Sequence, residues 1–201
     1  MRETIRIERA ASGDGRFIAE MVAVASDGIA TIEWQQQADA AGVSALDIGA
    51  QNYAGEDGDY SYRNCLIARD ENGESVGMIL SFALTEKNRS VDAHPPPYRD
   101  DEIFAPYMYL EAVDSWYICA LAVVPGYRGR DIGKLLLERA MAEGERAGFS
   151  NASLIAVANK SRLIDWYRSQ GFEVTRSAPI VEHPLIDAHG DALLMETTPR
   201  A

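Results

Sequence analysis

The feature that most restricts the fold is residues 115–147, where an apolar run passes through a short basic turn into a helical pattern. Ser115–Val124 is continuously apolar and rich in β-forming residues, so we predict a buried central strand. Asp131–Ala147 shows helical spacing, and Gly148 is placed to end that helix. Its inward-facing positions are predicted to be Ile132, Leu135, Leu136 and Ala140.

The turn between this strand and this helix has the composition of an anion-binding site. Gly129 and Gly133 allow a ligand to approach the backbone closely, and Arg128, Arg130 and Lys134 add positive charge. Backbone N–H groups and the positive end of the helix dipole meet at the same point. We therefore predict a phosphate or pyrophosphate site; the alternative is a basic turn that is only solvated.

This turn resembles the signature of the GNAT superfamily of N-acetyltransferases, Arg/Gln-x-x-Gly-x-Gly/Ala after a strand. The matching residues are Arg128–Gly133, preceded by Leu121–Pro125 and followed by Lys134. Asp131 stands where the signature has its first glycine.

A second stretch downstream is also similar to that family. A predicted strand and Asn159 are followed by a predicted helix, Lys160–Gln170, and by Gly171 and Phe172. Within it, Tyr167 stands at the start of the family's Tyr-x-x-x-Gly-Phe pattern. Asn159 is one residue farther from Tyr167 than is usual for the family.

The resemblance implies an α+β GNAT fold, with a mixed, mostly antiparallel central sheet of about six to seven strands flanked by about four helices. It implies a single N-acetyltransferase domain over residues 1–201. Within it we expect an N-terminal strand and acceptor-side helices in 1–60, a long loop in 85–109 and an acetyl-CoA-binding core in 115–172.

The rest of the chain supports three local predictions. Asp14 is a candidate N-cap for a first helix, and Gly49–Tyr60 is rich in Gly and Asp and is predicted to be an exposed loop. Asn72-Gly73 between two apolar runs predicts a hairpin. Thr85–Tyr109, with three prolines at 95–97, is predicted to be an irregular segment ordered by its aromatic residues.

By resemblance, the strand backbone would bind the pantetheine arm of acetyl-CoA and the basic turn would hold its pyrophosphate. The implied cofactor-binding residues are Leu121, Ala122, Val123, Arg128, Gly129, Arg130, Asp131, Ile132, Gly133, Lys134 and Asn159. Leu121–Val123 are equally consistent with core packing, and Asn159 with a helix N-cap.

Tyr167 matches the family's usual general acid, which returns a proton to the thiolate leaving group. A phenol, with a pKa near ~10, is protonated at neutral pH and suits that role. The alternative is an aromatic that packs beside Leu163 and Ile164 on one helix face. No acid lies in Leu154–Ala158 to act as base; Glu111 and Asp114 are the nearest candidates, each with the pattern of a surface charge.

Charge and composition limit the partners. The net charge of −12 argues against nucleic acid, because phosphate backbones recruit Lys and Arg. It favours a cationic amine acceptor, as do the acidic stretches Glu56–Asp59 and Asp100–Glu102. No apolar run approaches the ~20 residues of a membrane helix.

Residue types associated with secretion or with metals are sparse. Met1–Glu8 is charged and lacks the pattern of a signal peptide. Cys65 and Cys119 form no disulfide framework, and Cys119 is predicted to be a core residue, so we expect a cytoplasmic protein. The three histidines show no metal spacing, and we predict loop positions for His94, His183 and His189 and no metal cofactor.

The sequence thus predicts transfer of an acetyl group from acetyl-CoA to a primary amine by direct attack. The alternatives are a non-catalytic acyl-CoA-binding or sensing module and an enzyme that acetylates protein N-termini. A homodimer is left open.

Overall fold

The computed structural model of the protein describes residues 4–89 and 101–197. The strands of these ranges are β1 (Arg6–Arg9), β2 (Cys65–Arg69), β3 (Ser75–Leu84), β4 (Ser115–Val123), β5 (Ala152–Val157), β6 (Phe172–Pro179) and β7 (Asp191–Thr197). The α-helices are α1 (Gly15–Ala25), α2 (Ile29–Ala41), α3 (Ala45–Ala54), α4 (Ala105–Leu110), α5 (Ile132–Arg146) and α6 (Ser161–Ser169). None of the helices described is both long and apolar enough to span a bilayer.

The seven strands form one sheet in the order β1-β2-β3-β4-β5-β7-β6. β4 and β5 run parallel, with Trp116 opposite Ala152. The pairs β1–β2, β2–β3, β5–β7 and β6–β7 are antiparallel, and Leu154 lies opposite Met195 in β5–β7. The predicted mixed, mostly antiparallel sheet is confirmed.

The described residues fall into two compact units. The first contains residues 4–81 and 120–142, and the second contains 82–89, 101–119 and 143–197. A single N-acetyltransferase domain over 1–201 stays a prediction.

Helix α3, in the first unit, corrects one prediction. Residues 49–54 are helical, although the Gly and Asp content of Gly49–Tyr60 had predicted an exposed loop over that whole stretch. Ser44 caps the helix, because its hydroxyl accepts a hydrogen bond from the backbone N–H of Asp47 at 3.1 Å. Gly49 is required by packing, since a Cβ there would lie 2.8 Å from the ring of Trp34. Gly49 therefore admits the Trp34 ring and does not break the helix.

The β2–β3 hairpin of the first unit is confirmed. Asn72-Gly73 lies in the turn, and the two strands are antiparallel. The carboxylate of Asp70 accepts hydrogen bonds from the backbone N–H groups of Asn72 and Glu74, both at 2.9 Å. A buried acidic side chain thus organises this turn.

Two predicted side-chain roles in helices are wrong. Asp14 directly precedes α1 but does not cap it, because its carboxylate accepts hydrogen bonds from Ala11 N–H and Arg69, each at 2.8 Å. Leu135 is 42% exposed, whereas Leu137 is buried. At about 100° per residue, the face that holds the buried Ile132, Leu136, Leu137 and Ala140 leaves position 135 outside it.

In the second unit, a short helix replaces part of the predicted irregular segment. Helix α4 begins after Asp101, whose carboxylate accepts a hydrogen bond from Ile103 N–H at 2.8 Å. The aromatic Tyr107 packs against a small core cluster, as its residue type suggested. That cluster consists of Leu110, Ala112, Ala192 and Leu194. Residues 90–100, with the three prolines and His94, lie outside the described residues.

Candidate functional site

The end of β4 packs closely against β3 within the first unit. Ala122 is buried, while Leu121 and Val123 are half-buried. A Cβ on Gly77 of β3 would lie 3.1 Å from the carbonyl oxygen of Ala122, so glycine permits this close approach. The last strand contact is made by Val124, whose N–H donates to Val76 O at 2.9 Å.

The predicted basic turn is a compact loop with two left-handed residues. Pro125–Tyr127 forms one turn of 3-10 helix, and α5 begins at Ile132. Between them, Gly129 has a φ of +76° and Asp131 a φ of +62°. Only glycine adopts such angles without strain, and Asp and Asn are the next best tolerated. The loop thereby turns the chain directly into the helix N-terminus, where backbone N–H groups have no helical partner. We call Pro125–Asp131 the cofactor loop.

The basic side chains of the cofactor loop are exposed but oriented. Arg128 donates through Nε to Val123 O at 3.0 Å, and Arg130 donates through Nη2 to Gly126 O at 3.0 Å. Each guanidinium has five N–H donors, and each of these two bonds uses one of them. In α5, Ile132 is buried, Gly133 is half-buried, and the exposed Lys134 lies 3.8 Å from Glu138. Positive charge is therefore concentrated at the start of a helix, an arrangement suited to phosphate groups.

Tyr127 and Asp70 are two residues of this region that the sequence analysis did not select. The phenol of Tyr127 donates a hydrogen bond to the carboxylate of Asp70 at 2.9 Å. Asp70 belongs to the β2–β3 turn, so the bond connects two turns 57 residues apart in the chain. A tyrosine inside the motif was a visible signal, but its partner could not be identified from the sequence.

In the second unit, Tyr167 lies on the inner face of α6 and is 6% exposed. Its ring contacts Trp166, with the centroids 4.9 Å apart, and Phe172, with the centroids 5.7 Å apart. Burial raises the pKa of the Tyr167 phenol well above its ordinary value. The side chain is thus both a packed aromatic and a phenol that stays protonated at neutral pH.

Family membership follows from the whole sequence pattern. The sequence model described as the acetyltransferase (GNAT) family matches residues 29–172. The chain belongs to the GNAT acetyltransferase family.

Solved structures share the GNAT fold with this chain at low sequence identity. An acetyltransferase is 18% identical, with 97% of this chain and 100% of that chain covered and a TM-score of 0.64. An N-acetyltransferase from Staphylococcus aureus Mu50 is 19% identical, covering 96% and 100% with a TM-score of 0.64. The NatC complex bound to Gag peptide and CoA is 17% identical, covering 98% and 99% with a TM-score of 0.54. No curated protein matches the chain.

Asn159 is not the N-cap of α6, which was the alternative to cofactor binding. Helix α6 begins at Ser161 with Lys160 as its N-cap residue, so the Asn159 side chain does not cap the helix. Asn159 is exposed. Its contact with the amide of a GNAT cofactor stays a prediction.

The two acidic candidates for the GNAT general base differ in burial. Glu111 is 7% exposed, so its interpretation as a surface charge is wrong. The guanidinium of Arg176 donates to the carbonyl oxygens of Leu110 and Glu111, both at 3.1 Å, which ties the backbone of this segment to β6. Asp114 is exposed and has a left-handed φ of +59°. Burial therefore distinguishes Glu111 from Asp114.

The two cysteines differ in burial, and the described histidines lie in a loop. Cys65 is buried, and burial, with a smaller contribution from Asp14, raises its pKa from 9.0 to about 12, which disfavours a thiolate. Cys119, predicted to be a core residue, is partly exposed. His183 and His189 lie between β6 and β7, as predicted. His183 Nδ1 accepts a hydrogen bond from Leu185 N–H at 3.2 Å.

Proposed function

We propose that this GNAT protein transfers an acetyl group from acetyl-CoA to a primary amine, and that the amine belongs to a cationic small molecule. The observation that carries the proposal is the cofactor loop, in which two left-handed residues lead from β4 into the N-terminus of α5. Two oriented guanidinium groups lie there. The N–H groups of the first helical turn, which have no acceptor within a helix, point to the same end.

The loop and the strand before it match the two ends of acetyl-CoA. Arg128, Gly129 and Arg130, together with the start of α5, would hold the negatively charged phosphates. Leu121–Val123 would offer backbone groups to the amides of the pantetheine arm, in the manner of an added strand. The alternating burial of these three residues supports a backbone role, since the side chain of Ala122 packs inward while the strand stays accessible.

The reaction is a direct transfer. A neutral amine attacks the thioester carbonyl, a C–N bond forms, and backbone groups of Leu121–Val123 stabilise the oxyanion. Collapse of this intermediate breaks the C–S bond, and Tyr167 donates its phenolic proton to the sulfur. Glu111 would accept the proton released by the amine, directly or through a water molecule. Its burial favours it over the exposed Asp114.

The acceptor preference is based on charge. The chain carries a net charge of −12, which attracts polycations over several ångströms. Part of the acidic sequence also has structural contacts: Glu56 pairs with Arg63, and Asp101 accepts a hydrogen bond from Ile103 N–H in the turn before α4. The preference for a cationic acceptor therefore follows from total charge more than from either acidic stretch. A peptide N-terminus is the second candidate, because one structural neighbour is a complex bound to a peptide and CoA.

Release of CoA thiol from acetyl-CoA tests the proposal. The acceptors are a polyamine, a neutral primary amine of similar size and a peptide with a free N-terminus. We expect acceptor-dependent release, fastest with the polyamine. Binding of CoA without release for any acceptor would instead support the acyl-CoA-binding module, and release with the peptide alone would support N-terminal acetylation.

A matched pair of substitutions connects that activity to the cofactor loop. Gly133→Glu adds bulk and negative charge at the start of α5 and should abolish both release and CoA binding. Gly13→Glu is the control, because Gly13 has open space around it in the 3-10 turn before α1. If Gly133→Glu binds CoA as the parent does, the phosphates bind elsewhere.

A further inference from the structure

The bond between Tyr127 and Asp70 fixes the cofactor loop to a hairpin that has no part in the GNAT signature. Tyr127 is the last residue of the 3-10 turn Pro125–Tyr127, and its hydroxyl donates to Asp70 Oδ2 at 2.9 Å. Asp70 is 3% exposed. A phenol that donates to a buried carboxylate makes a charge-assisted hydrogen bond, which is stronger and better oriented than a bond between neutral groups.

Asp70 is itself held rigidly. Its second carboxylate oxygen accepts the N–H groups of Asn72 and Glu74, and its own N–H donates to Glu74 O at 3.0 Å. Desolvation alone would raise the pKa of Asp70, but the hydrogen bonds from Glu74, Tyr127 and Asn72 lower it overall. The carboxylate is therefore ionised at neutral pH and keeps one orientation toward Tyr127.

The ring of Tyr127, fixed by the bond to Asp70, also contacts the guanidinium of Arg130. The guanidinium carbon of Arg130 lies 4.9 Å from the ring centroid, within the range of a cation–π contact. The same guanidinium donates to Gly126 O at 3.0 Å. Arg130 is thus held between the face of an anchored ring and the backbone of its own loop.

We propose that Asp70 and Tyr127 are positioning residues that set the affinity for the phosphate groups of CoA by holding Arg130. The inference rests on the proposed use of acetyl-CoA. An arginine that is ordered before the ligand arrives loses less side-chain freedom when it binds phosphate. Neither Asp70 nor Tyr127 needs to touch the ligand.

Tyr127→Phe tests the inference, because it removes the bond to Asp70 and keeps the ring face under Arg130. CoA binding by calorimetry should weaken roughly threefold to tenfold. The kcat/KM ratio of acetyl-CoA to S-acetylpantetheine, which lacks the phosphates, should fall by about the same factor. A purely structural defect would lower activity with both donors and leave that ratio unchanged, which would overturn the inference. Tyr62→Phe is the matched control for CoA binding, since it removes a phenol–carboxylate contact of 3.5 Å to Glu56.

A double-mutant cycle tests the route through Arg130. In an Arg130→Gln background, Tyr127→Phe should change the affinity for CoA less than about twofold, because its effect depends on that guanidinium. Full additivity of the two losses would overturn the proposal, and so would an unchanged affinity in Tyr127→Phe alone. If the parent protein does not bind CoA, the proposed function fails and the inference with it. If the parent binds CoA and the cycle is additive, the inference alone fails.

Discussion

Asp131 offers a quantitative test of the cofactor loop, because one residue has two separable properties there. It has a left-handed φ of +62°, which glycine adopts most easily, and it brings a carboxylate to the N-terminus of α5. The GNAT signature has glycine at this position. Substitution to Gly, Asn and Ala changes the backbone preference and the charge in different combinations.

The expected stabilities follow from opposing contributions. For a residue other than glycine, the left-handed conformation costs about 1–2 kcal/mol, with Asp and Asn at the low end. A carboxylate at a helix N-terminus contributes about 0.3–1 kcal/mol. Asp131→Asn loses only the charge, and Asp131→Ala loses the charge and gains strain. Asp131→Gly relieves strain while losing the charge and gaining about 0.5–1 kcal/mol of unfolded-state entropy, so its net change is near zero.

The melting temperatures should follow the same order. For a chain of this size, 1 kcal/mol shifts Tm by about 2–4 °C. We expect Asp131→Gly to melt close to the parent, Asp131→Asn slightly lower and Asp131→Ala lowest. The sequence alone would rank Asp131→Gly below Asp131→Asn, because a residue before a helix suggests a cap and nothing in the sequence reveals the left-handed angle.

Affinity for CoA should depend on charge alone. A carboxylate several ångströms from a diphosphate in partly solvated surroundings repels it by about 1–2 kcal/mol, which corresponds to roughly a tenfold change in Kd. All three variants should therefore bind CoA about tenfold more tightly than the parent, and the gain should shrink as salt screens the charges.

Calorimetric titration with CoA at low and high salt, with thermal denaturation alongside, measures both effects. Asp27→Asn is the matched control, because Asp27 has a φ of +52° in the turn between α1 and α2 and lies outside the cofactor loop. Unchanged affinity in all three variants would mean that the carboxylate faces away from the ligand. A gain in Asp131→Gly alone would assign the effect to backbone freedom and refute the electrostatic reasoning.

Four further outcomes are expected. Tyr167→Phe keeps the packing and removes the phenolic proton, so kcat measured by steady-state kinetics should fall by roughly a hundredfold. A decrease of less than about threefold would mean that Tyr167 is a packing residue and not the general acid. Burial raises the pKa of Cys65 from 9.0 to about 12 in the folded state, which favours the neutral thiol there. The free energy of unfolding should therefore fall as the pH rises from 9 to 12. Urea unfolding from pH 8 to 10 should therefore show a loss about 1.4 kcal/mol smaller in Cys65→Ala than in the parent, and equal losses would contradict the assignment. Gly49→Ala places a methyl group 2.8 Å from the Trp34 ring and should destabilise the protein by about 1–3 kcal/mol in the same assay; an unchanged midpoint would mean that the ring moves aside easily. The KM of a polycationic acceptor should rise with salt, and a constant KM would exclude electrostatic attraction of the amine.

The regular elements from β4 onward were predictable because each has a local cause. Residues 115–123 read as a strand from apolar β-formers alone, and Gly148 and Gly171 end α5 and α6 where the sequence placed them. The failures occurred where a distant partner overrides local composition. Gly49 lies inside a helix because the Trp34 ring needs the space, and Asp14 is held by Arg69 instead of capping α1. Neither partner is adjacent in sequence.

The candidate site likewise contains features with a local sequence signal and features that depend on distant residues. A turn between β4 and α5 could be predicted from its glycine and arginine residues, and the structure has a loop there; its use as a phosphate site stays a prediction. The burial of Glu111 could not be predicted, because burial is set by the tertiary structure; the contact of its carbonyl with Arg176, 65 residues away, shows how distant the neighbours of this segment are in sequence. The Tyr127–Asp70 bond is likewise invisible to a reading of either segment alone.

The departure at Asp131 has a physical meaning that links sequence to chemistry. In the described residues, the three residues other than glycine with a positive φ are all aspartates, Asp27, Asp114 and Asp131. Asp tolerates the left-handed region better than most residues, so it can adopt the φ of +62° at the position where the GNAT signature has glycine. A carboxylate is the least favourable group to place beside a diphosphate. Arg128, held by the carbonyl oxygen of Val123 at the end of β4, and Arg130, held by that of Gly126 in the loop, would offset it. The affinity for CoA should therefore depend more steeply on their orientation than in a loop with glycine at this position.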